Sequence, residues 1–395
     1  MPGFEWFGDE ERKEVQDVLD TGVLFRYGFD QARNDHWKAK AFEAELAKRI
    51  GSSHSHLCSS GTASLCIALA SCGVGAGDEV VVPPFTFIAT IEAVLTAGAV
   101  PIFADIDETL CLDPRAIEAA ITPRTKAILP VHMCGSMAHI TEIKNICEKK
   151  GLILIEDACQ SIGATVEGKA AGTFGHMGCF SFDAVKTITC GEGGAVVTDD
   201  NDLYKAAEAF ADHGHDHIGN DRGLEGHPIL GTNYRISELN SAVGLAQLRK
   251  LDQILTKQRE NKTAIQEGIR ALSEIRFREI PDKKGDSATF LSFFLHDEST
   301  ARRVVENLKK GGVDGCFYWY DNNWHYIRQW EHFKTISSTA KLPIQLLENR
   351  PDYQKLHLPQ SDRIMSRTIS MQIKLSWTKR ELAQRIEKTA QAIKG

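Results

Sequence analysis

Three short stretches hold residue types able to make and break bonds at a carbonyl: Lys186 in SFDAVK, Asp157 in LILIEDACQ, and the small residues of LCSSGTASL at 57–65. Asp157 closes an apolar run. A carboxylate at the carboxyl end of a buried parallel strand faces the crevice where α/β sheets bind ligands. The same residue type also serves as an N-cap for the segment that follows. Lys186 follows another short apolar run, which puts it near the same sheet edge. A desolvated lysine loses its proton readily, and the neutral amine can form a Schiff base with an aldehyde. Its plain alternative is a solvated turn residue. In SSGTASL, backbone N–H groups at a helix start can bind phosphate without any cationic side chain, or a Ser or Thr simply caps a strand-to-helix turn. GxxxxGK[ST] is absent, which excludes an NTPase phosphate loop. GEGGAVV precedes a strand rather than joining a strand to a helix, so it is not a dinucleotide fingerprint. A phosphate cradle near residue 60, an aspartate at 157 and a lysine at 186 together meet the needs of one cofactor. Pyridoxal phosphate requires a phosphate site, a carboxylate that keeps its pyridine nitrogen protonated, and a lysine that holds its aldehyde.

The elements that must position these residues follow from the hydrophobic pattern. Strand-like runs are EVVVP (79–83), VPIFADI (100–106), KAILPVH (126–132), LILIED (152–157), GCFSFD (178–183) and GAVVT (194–198), with helical patterns at 86–98, 114–121 and 136–150 between several of them. Continuous apolar strands alternating with helices predict an α/β fold: a large, mostly parallel sheet covered on both faces. After about residue 245 a long charged helical stretch leads into strand-like FREI and TFLSFFL, a helix at 299–310, the aromatic segment CFYWYDNNWHY, strand-like ISMQIKLS and a closing amphipathic helix near 378–393. The expected organisation is therefore a large cofactor-binding α/β domain over 1–250, with an N-terminal arm, and a smaller C-terminal α+β domain over 251–395.

Composition narrows the classes further. The chain has 395 residues, 42% hydrophobic and 25% charged, with a net charge of −7. That is the balance of a globular protein, with no basic field for nucleic acid or anionic lipid. No signal peptide, transit peptide or membrane-length apolar run is read, and ten cysteines without a C-x-x-C pair read as reduced thiols. The expected location is cytoplasmic, with neither nucleic acid nor membrane as partner.

Six stretches in order, SSGTASL, PPFTFIAT, ITPRTKAILPVHMCG, IEDACQSIGA, SFDAVKTITCGEGGAVVTDD and GTNYRISELNSAVGLAQL, resemble the DegT/DnrJ/EryC1/StrS family of sugar aminotransferases, over roughly residues 20 to 250. The resemblance implies fold-type I pyridoxal-phosphate enzymes with a pyridoxamine-phosphate half-reaction. It also implies roles: Lys186 as the Schiff-base lysine, Asp157 as the partner of the pyridine nitrogen, and Gln160 near the phenolic oxygen. Gly61, Thr62 and Ser181 become phosphate ligands, and Phe87 an aromatic stacked on the ring or packed in the core. Asn233 becomes a phosphate contact supplied by a second subunit, hence a homodimer with shared active sites. Retention of Lys186, which some members replace with histidine, implies a complete transamination cycle.

The stretches FRYGFDQARNDHW, VHMCGSMA, DHGHDHIGNDRG and DGCFYWYDNNWHY are similar to those of members that form 8-amino-3,8-dideoxy-manno-octulosonate from a C8 aldehyde, with glutamate as amino donor. Two alternatives stand beside that reading: a nucleotide-linked keto-sugar as substrate, and a non-catalytic cofactor-binding regulatory subunit. Carboxylate substrates call for charge-assisted partners. Arg26, Arg33 and Arg222 occupy loop-like segments that could supply them, with surface solvation as the plain alternative. His213, His215, His217 and His227 are ligand-type residues without the register of a zinc signature. No metal is expected; the stretch reads as a substrate-facing loop with His213 or His215 near the sugar. Trp319 and Trp324 either line the sugar site or pack between the domains.

Overall fold

β-branched runs such as Glu79–Val82 are buried at every position, so both faces of the sheet that contains them must be covered. The computed structural model describes residues 3–219 and 221–395. Its strands are β1 (His54–Cys58), β2 (Glu79–Val82), β3 (Val100–Phe103), β4 (Thr125–Ile128) and β5 (Ile153–Asp157), a short hairpin of β6 (Thr165–Val166) and β7 (Lys169–Ala170), then β8 (Met177–Ser181) and β9 (Gly194–Thr198). Seven of them form one sheet in the order β1-β9-β8-β5-β4-β2-β3. Only β9 runs antiparallel to its neighbours; the pairings of β2 with β3 and β4, β4 with β5 and β5 with β8 are parallel. The expected large, mostly parallel sheet is present.

Parallel neighbours need crossovers, and helices Ala89–Thr96, Pro114–Ala120 and Ile140–Lys150 supply them. Two are shorter than the pattern predicts. Residues 86–88 leave the helix because their N–H groups are taken elsewhere: Thr86 donates to the His325 carbonyl and Ile88 to that of Trp324, each at 3.0 Å. Residues 133–135 form a 3-10 turn around Cys134, whose φ of 56° is left-handed. The helix Gly61–Ser71 is apolar on nearly all sides and buried from Ala63 to Leu69, as an interior helix must be.

The charged stretch after residue 245 is two helices, Glu238–Arg249 and Leu251–Ile269, meeting at Lys250. Beyond them, β10 (Arg276–Phe277), β11 (Phe290–Phe294), β12 (Cys316–Phe317) and β13 (Thr368–Gln372) form an antiparallel sheet in the order β10-β11-β13-β12. Alternation along β11 serves two cores. Leu291 and Phe293 face a small core with Val304, Ile369 and Ile393, while Phe290 and Phe294 join the large one. The segment between β12 and β13 also turns back onto the large core through Trp319, Tyr326, Trp330, Phe333 and Tyr353. The Tyr353 hydroxyl donates to the Pro101 carbonyl at 2.8 Å, so this segment shields β3, the edge strand. All ten cysteines are free thiols. Among the described residues no helix is long and apolar enough to cross a membrane.

Candidate functional site

The carboxyl ends of β5 and β8 lie side by side, with Asp157 opposite Cys179. They open into a cavity of about 490 Å3. Nine of the residues singled out above line it: Gly61, Thr62, Phe87, Asp157, Gln160, Ser181 and Lys186, with Trp319 and Trp324.

The floor is polar and held from beneath. Asp157 is only 3% exposed. Its Oδ1 accepts the Cys159 N–H at 3.1 Å, and its Oδ2 accepts the Thr90 hydroxyl at 2.8 Å. No helix follows β5, so the first bond closes a side-chain turn rather than a helix cap; the second ties the carboxylate to the cavity wall. Gln160 accepts the Cys134 N–H through Oε1 at 3.2 Å, which leaves its amide nitrogen as the free donor. Lys186 is half-buried, and its backbone is fixed at both ends. Its N–H donates to the Asp183 carbonyl and its carbonyl accepts the Gly3 N–H, each at 3.0 Å. Among the described residues no other lysine and no arginine lines the cavity.

At one end stands the start of helix Gly61–Ser71. The Ser60 hydroxyl caps the Ala63 N–H at 3.0 Å, and the Gly61 and Thr62 N–H groups, beyond reach of any intrahelical carbonyl, stay available for an anion. Gly61 packs directly on Ser181: a Cβ added to it would lie 2.7 Å from the Ser181 Cβ and 3.0 Å from its Oγ. This cradle of bare backbone and one hydroxyl fits the phosphate of pyridoxal phosphate, Asp157 fits its ring nitrogen, and Lys186 fits its aldehyde. We expect Gly61→Ala to lose about 1–3 kcal/mol of stability by overpacking against Ser181 and, with the cradle displaced, to bind the cofactor about 10- to 100-fold more weakly. Fluorescence titration of the apoprotein with pyridoxal phosphate checks this; an unchanged Kd counts against the cradle.

The roof comes from the aromatic segment. Residues 324–327 run beside 84–88, with Ile327 donating to the Pro84 carbonyl at 3.0 Å in addition to the bonds from Thr86 and Ile88. Phe87, 37% exposed, stacks on Trp324 with centroids 5.8 Å apart and planes 16° from parallel. Trp319 stacks on Phe317 at 4.6 Å. Both tryptophans line the cavity. His325 was not singled out in the sequence, because a lone histidine in an aromatic run carries no spacing signal. Its Nδ1 lies 2.9 Å from Asn322 Oδ1. An amide oxygen only accepts, so Nδ1 carries the proton and Nε2 presents a lone pair. Burial, with the nearby Lys186 charge, pushes this imidazole down to about 4, so it is neutral in the physiological range.

The remaining residues do not meet in this cavity. Arg26 is buried, donating to the Leu57 carbonyl at 2.8 Å and to Glu43 at 2.7 Å. Arg33 is spent on the carbonyls of Phe25, Tyr27 and Gly28. Arg222 pairs with Asp212 at 2.9 Å and His215 with Glu225 at 2.8 Å, while His213 and Asn233 are exposed. Among the described residues no group of three or more His, Cys, Asp or Glu is placed to hold a metal ion.

Known proteins carry the same chain plan. The chain is 44% identical over 230 residues to L-glutamine:2-deoxy-scyllo-inosose aminotransferase of Streptomyces kanamyceticus, covering 55% of this chain and 54% of that one. It is 43% identical over 216 residues to UDP-N-acetyl-3-dehydro-alpha-D-glucosamine 3-aminotransferase of Acidithiobacillus ferrooxidans, covering 54% and 57%. The chain thus spans about half the length of these curated relatives. The solved structure of NtdA from Bacillus subtilis with bound cofactor PMP superposes with a TM-score of 0.81 at 26% identity, covering 100% of this chain and 84% of that one. Residues 7–389 match a single family along nearly the whole length; the chain belongs to the DegT/DnrJ/EryC1/StrS aminotransferase family, whose cofactor is pyridoxal phosphate.

Proposed function

We propose that this protein is a pyridoxal-phosphate-dependent sugar aminotransferase that moves the amino group of L-glutamate to the C8 aldehyde of an oxidised 3-deoxy-manno-octulosonate, giving 8-amino-3,8-dideoxy-manno-octulosonate for lipopolysaccharide. The observation that carries the aminotransferase reading is the convergence of Lys186, Asp157 and the Gly61–Ser181 cradle on one cavity. When bound, pyridoxal phosphate supplies an electrophilic aldehyde and a ring that stabilises charge at the carbon losing its proton. The residues do the rest. Gly61, Thr62 and Ser181 anchor the phosphate. Asp157 holds a proton on the ring nitrogen. Lys186 Nζ takes and returns the substrate proton within a site that Phe87, Trp319 and Trp324 shield from water.

The choice of sugar rests on the resemblance of four stretches, one of which, DGCFYWYDNNWHY, builds the roof. Aromatic faces with a neutral acceptor at His325 Nε2 suit a polyhydroxylated substrate. Both proposed substrates carry a carboxylate, and among the described residues Lys186 is the one lysine or arginine that lines the cavity. The counter-charge therefore comes from outside this chain's cavity. This supports a homodimer in which the exposed loop carrying Asn233 serves the neighbouring site, and exposed Leu224 and Leu230 on the same loop are what an interface would cover.

A nucleotide-linked keto-sugar is the second reading, favoured by the similarity to an enzyme named for a UDP-linked substrate. One experiment separates them. The pyridoxamine form of the holoenzyme is mixed with the C8-oxidised sugar acid or with nucleotide keto-sugars, and the visible spectrum is followed. Return of the pyridoxal spectrum with the sugar acid is expected; return only with the nucleotide sugars overturns the assignment.

A further inference from the structure

Lys186 is tied from behind by a part of the chain remote from it in sequence. The turn Gly3–Trp6 lies against the loop that presents the lysine: Gly3 N–H donates to the Lys186 carbonyl at 3.0 Å. The contact leaves no room for a side chain. A Cβ on Gly3 would lie 3.0 Å from the Lys186 carbonyl oxygen, 3.0 Å from the Thr189 nitrogen and 3.1 Å from the Ile188 carbonyl carbon. The same turn is anchored at its far side. Glu5 Oε2 accepts the Leu375 N–H at 3.1 Å and the Ser376 N–H at 2.8 Å, just past the end of β13. The Trp6 carbonyl accepts Lys250 Nζ at 3.0 Å, and that ammonium also pairs with Glu11 at 2.7 Å. One four-residue turn thus joins the lysine loop to the antiparallel sheet and to the junction of two helices.

We propose that Gly3 and Glu5 are positioning residues: they set where the Lys186 backbone lies and so where Nζ reaches in the cavity. The only other bond at the Lys186 backbone is local, from its N–H to the Asp183 carbonyl. Releasing Gly3 therefore frees the peptide on the carboxyl side of the lysine. Proton transfer is steep in geometry, with losses of about 100-fold for a displacement of about 1 Å. Substrate binding under the roof and cofactor binding at the cradle do not pass through the turn. This inference rests on the reading that Lys186 carries the proton.

The test uses the holoenzyme with Glu5→Ala, Glu5→Gln and Gly3→Ala. Glu5→Ala removes the anchor; glutamine keeps an oxygen for both amides. Turnover gives kcat and KM, and the visible absorption of the lysine-bound cofactor is titrated against pH. That titration senses Lys186 Nζ within the field of Asp157, Cys159, Asp183, Glu192 and His325, which line the same cavity. Expected for Glu5→Ala and Gly3→Ala are a fall in kcat of about 10-fold, a KM within about twofold of the parent, and a titration midpoint displaced by about half a pH unit or more. Glu5→Gln should restore most of both. Amide hydrogen exchange at 186–190 in the apoprotein should quicken in the two damaging variants. Parental kcat and midpoint in both overturn the inference, as does a kcat loss that only follows the folded fraction with an unmoved midpoint. If Lys186→Ala itself stayed active, the underlying reading would fail instead, so the two failures are distinguishable.

Discussion

Lys186→Ala should lower turnover by about 1000-fold or more, while the protein is expected to fold and still bind pyridoxal phosphate. The magnitude follows from what the cavity lacks. General acid–base catalysis contributes about 100- to 10,000-fold, and among the described residues no other lysine stands on the cavity wall to take over the proton. Neutral His325 is the nearest substitute, but its Nδ1 proton is committed to Asn322, and an imidazole pushed down to about 4 is a weak base at neutral pH. Folding is spared because the side chain is half-buried and makes no hydrogen bond among the described residues, while the backbone bonds to Asp183 and Gly3 do not depend on it. The proposed phosphate anchor, Gly61, Thr62 and Ser181, is likewise left intact. The measurements are steady-state turnover and the absorption spectrum after addition of glutamate. The parent protein should pass to the pyridoxamine spectrum; the variant should not. Completed turnover by the variant would refute the role of the lysine. A parent spectrum unmoved by glutamate or any other amino donor would return the protein to the class of cofactor-binding subunits without activity.

How much of this was open to a reader of the sequence depends on where the contacts lie. Strands β2 and β5 are legible because nearly all of their positions are buried, which leaves apolar runs, and β5 also ends at a residue with a second task, Asp157. The cradle at Gly61 is legible only in company, since a serine cap before a helix is common; its meaning comes from Ser181, 120 residues later, pressed against it. The roof is legible only in part: Trp319 and Trp324 can be read as lining the sugar site, but the seat of the segment cannot, because the backbone of residues 324–327 bonds to residues 84–88, more than two hundred positions away. The same long reach hides the turn at Gly3–Trp6. Arg26 and Arg33 look free in sequence because nothing local pairs them; in the structure they satisfy backbone carbonyls of the loop and of β1. An arginine's five donors are as useful for closing irregular backbone as for holding a substrate.

Asp157→Asn separates charge from shape and is the second large effect. The asparagine fits where the aspartate was. Its amide oxygen can accept the Cys159 N–H, and its amide nitrogen can donate to Thr90 Oγ1. Thr90 then turns its own hydroxyl toward Thr86 Oγ1, 2.7 Å away, so the hydroxyl pair reverses direction and every group keeps a partner. Stability should therefore change by less than about 1 kcal/mol, because no buried donor or acceptor is orphaned. Asp157→Ala is the contrast. It strands the Cys159 N–H in a nearly closed place, at about 1–3 kcal/mol, while the Thr90 hydroxyl can still turn to Thr86 Oγ1. Both variants lose the negative charge that would keep the ring nitrogen protonated, and with it the stabilisation of charge at the reacting carbon. Turnover should fall by about 100- to 1000-fold in the asparagine variant, with thermal denaturation near that of the parent. Only the charge account demands that pairing of a large catalytic loss with a small change in stability. Near-parental turnover by Asp157→Asn would reduce the aspartate to the side-chain turn that it closes at the end of β5.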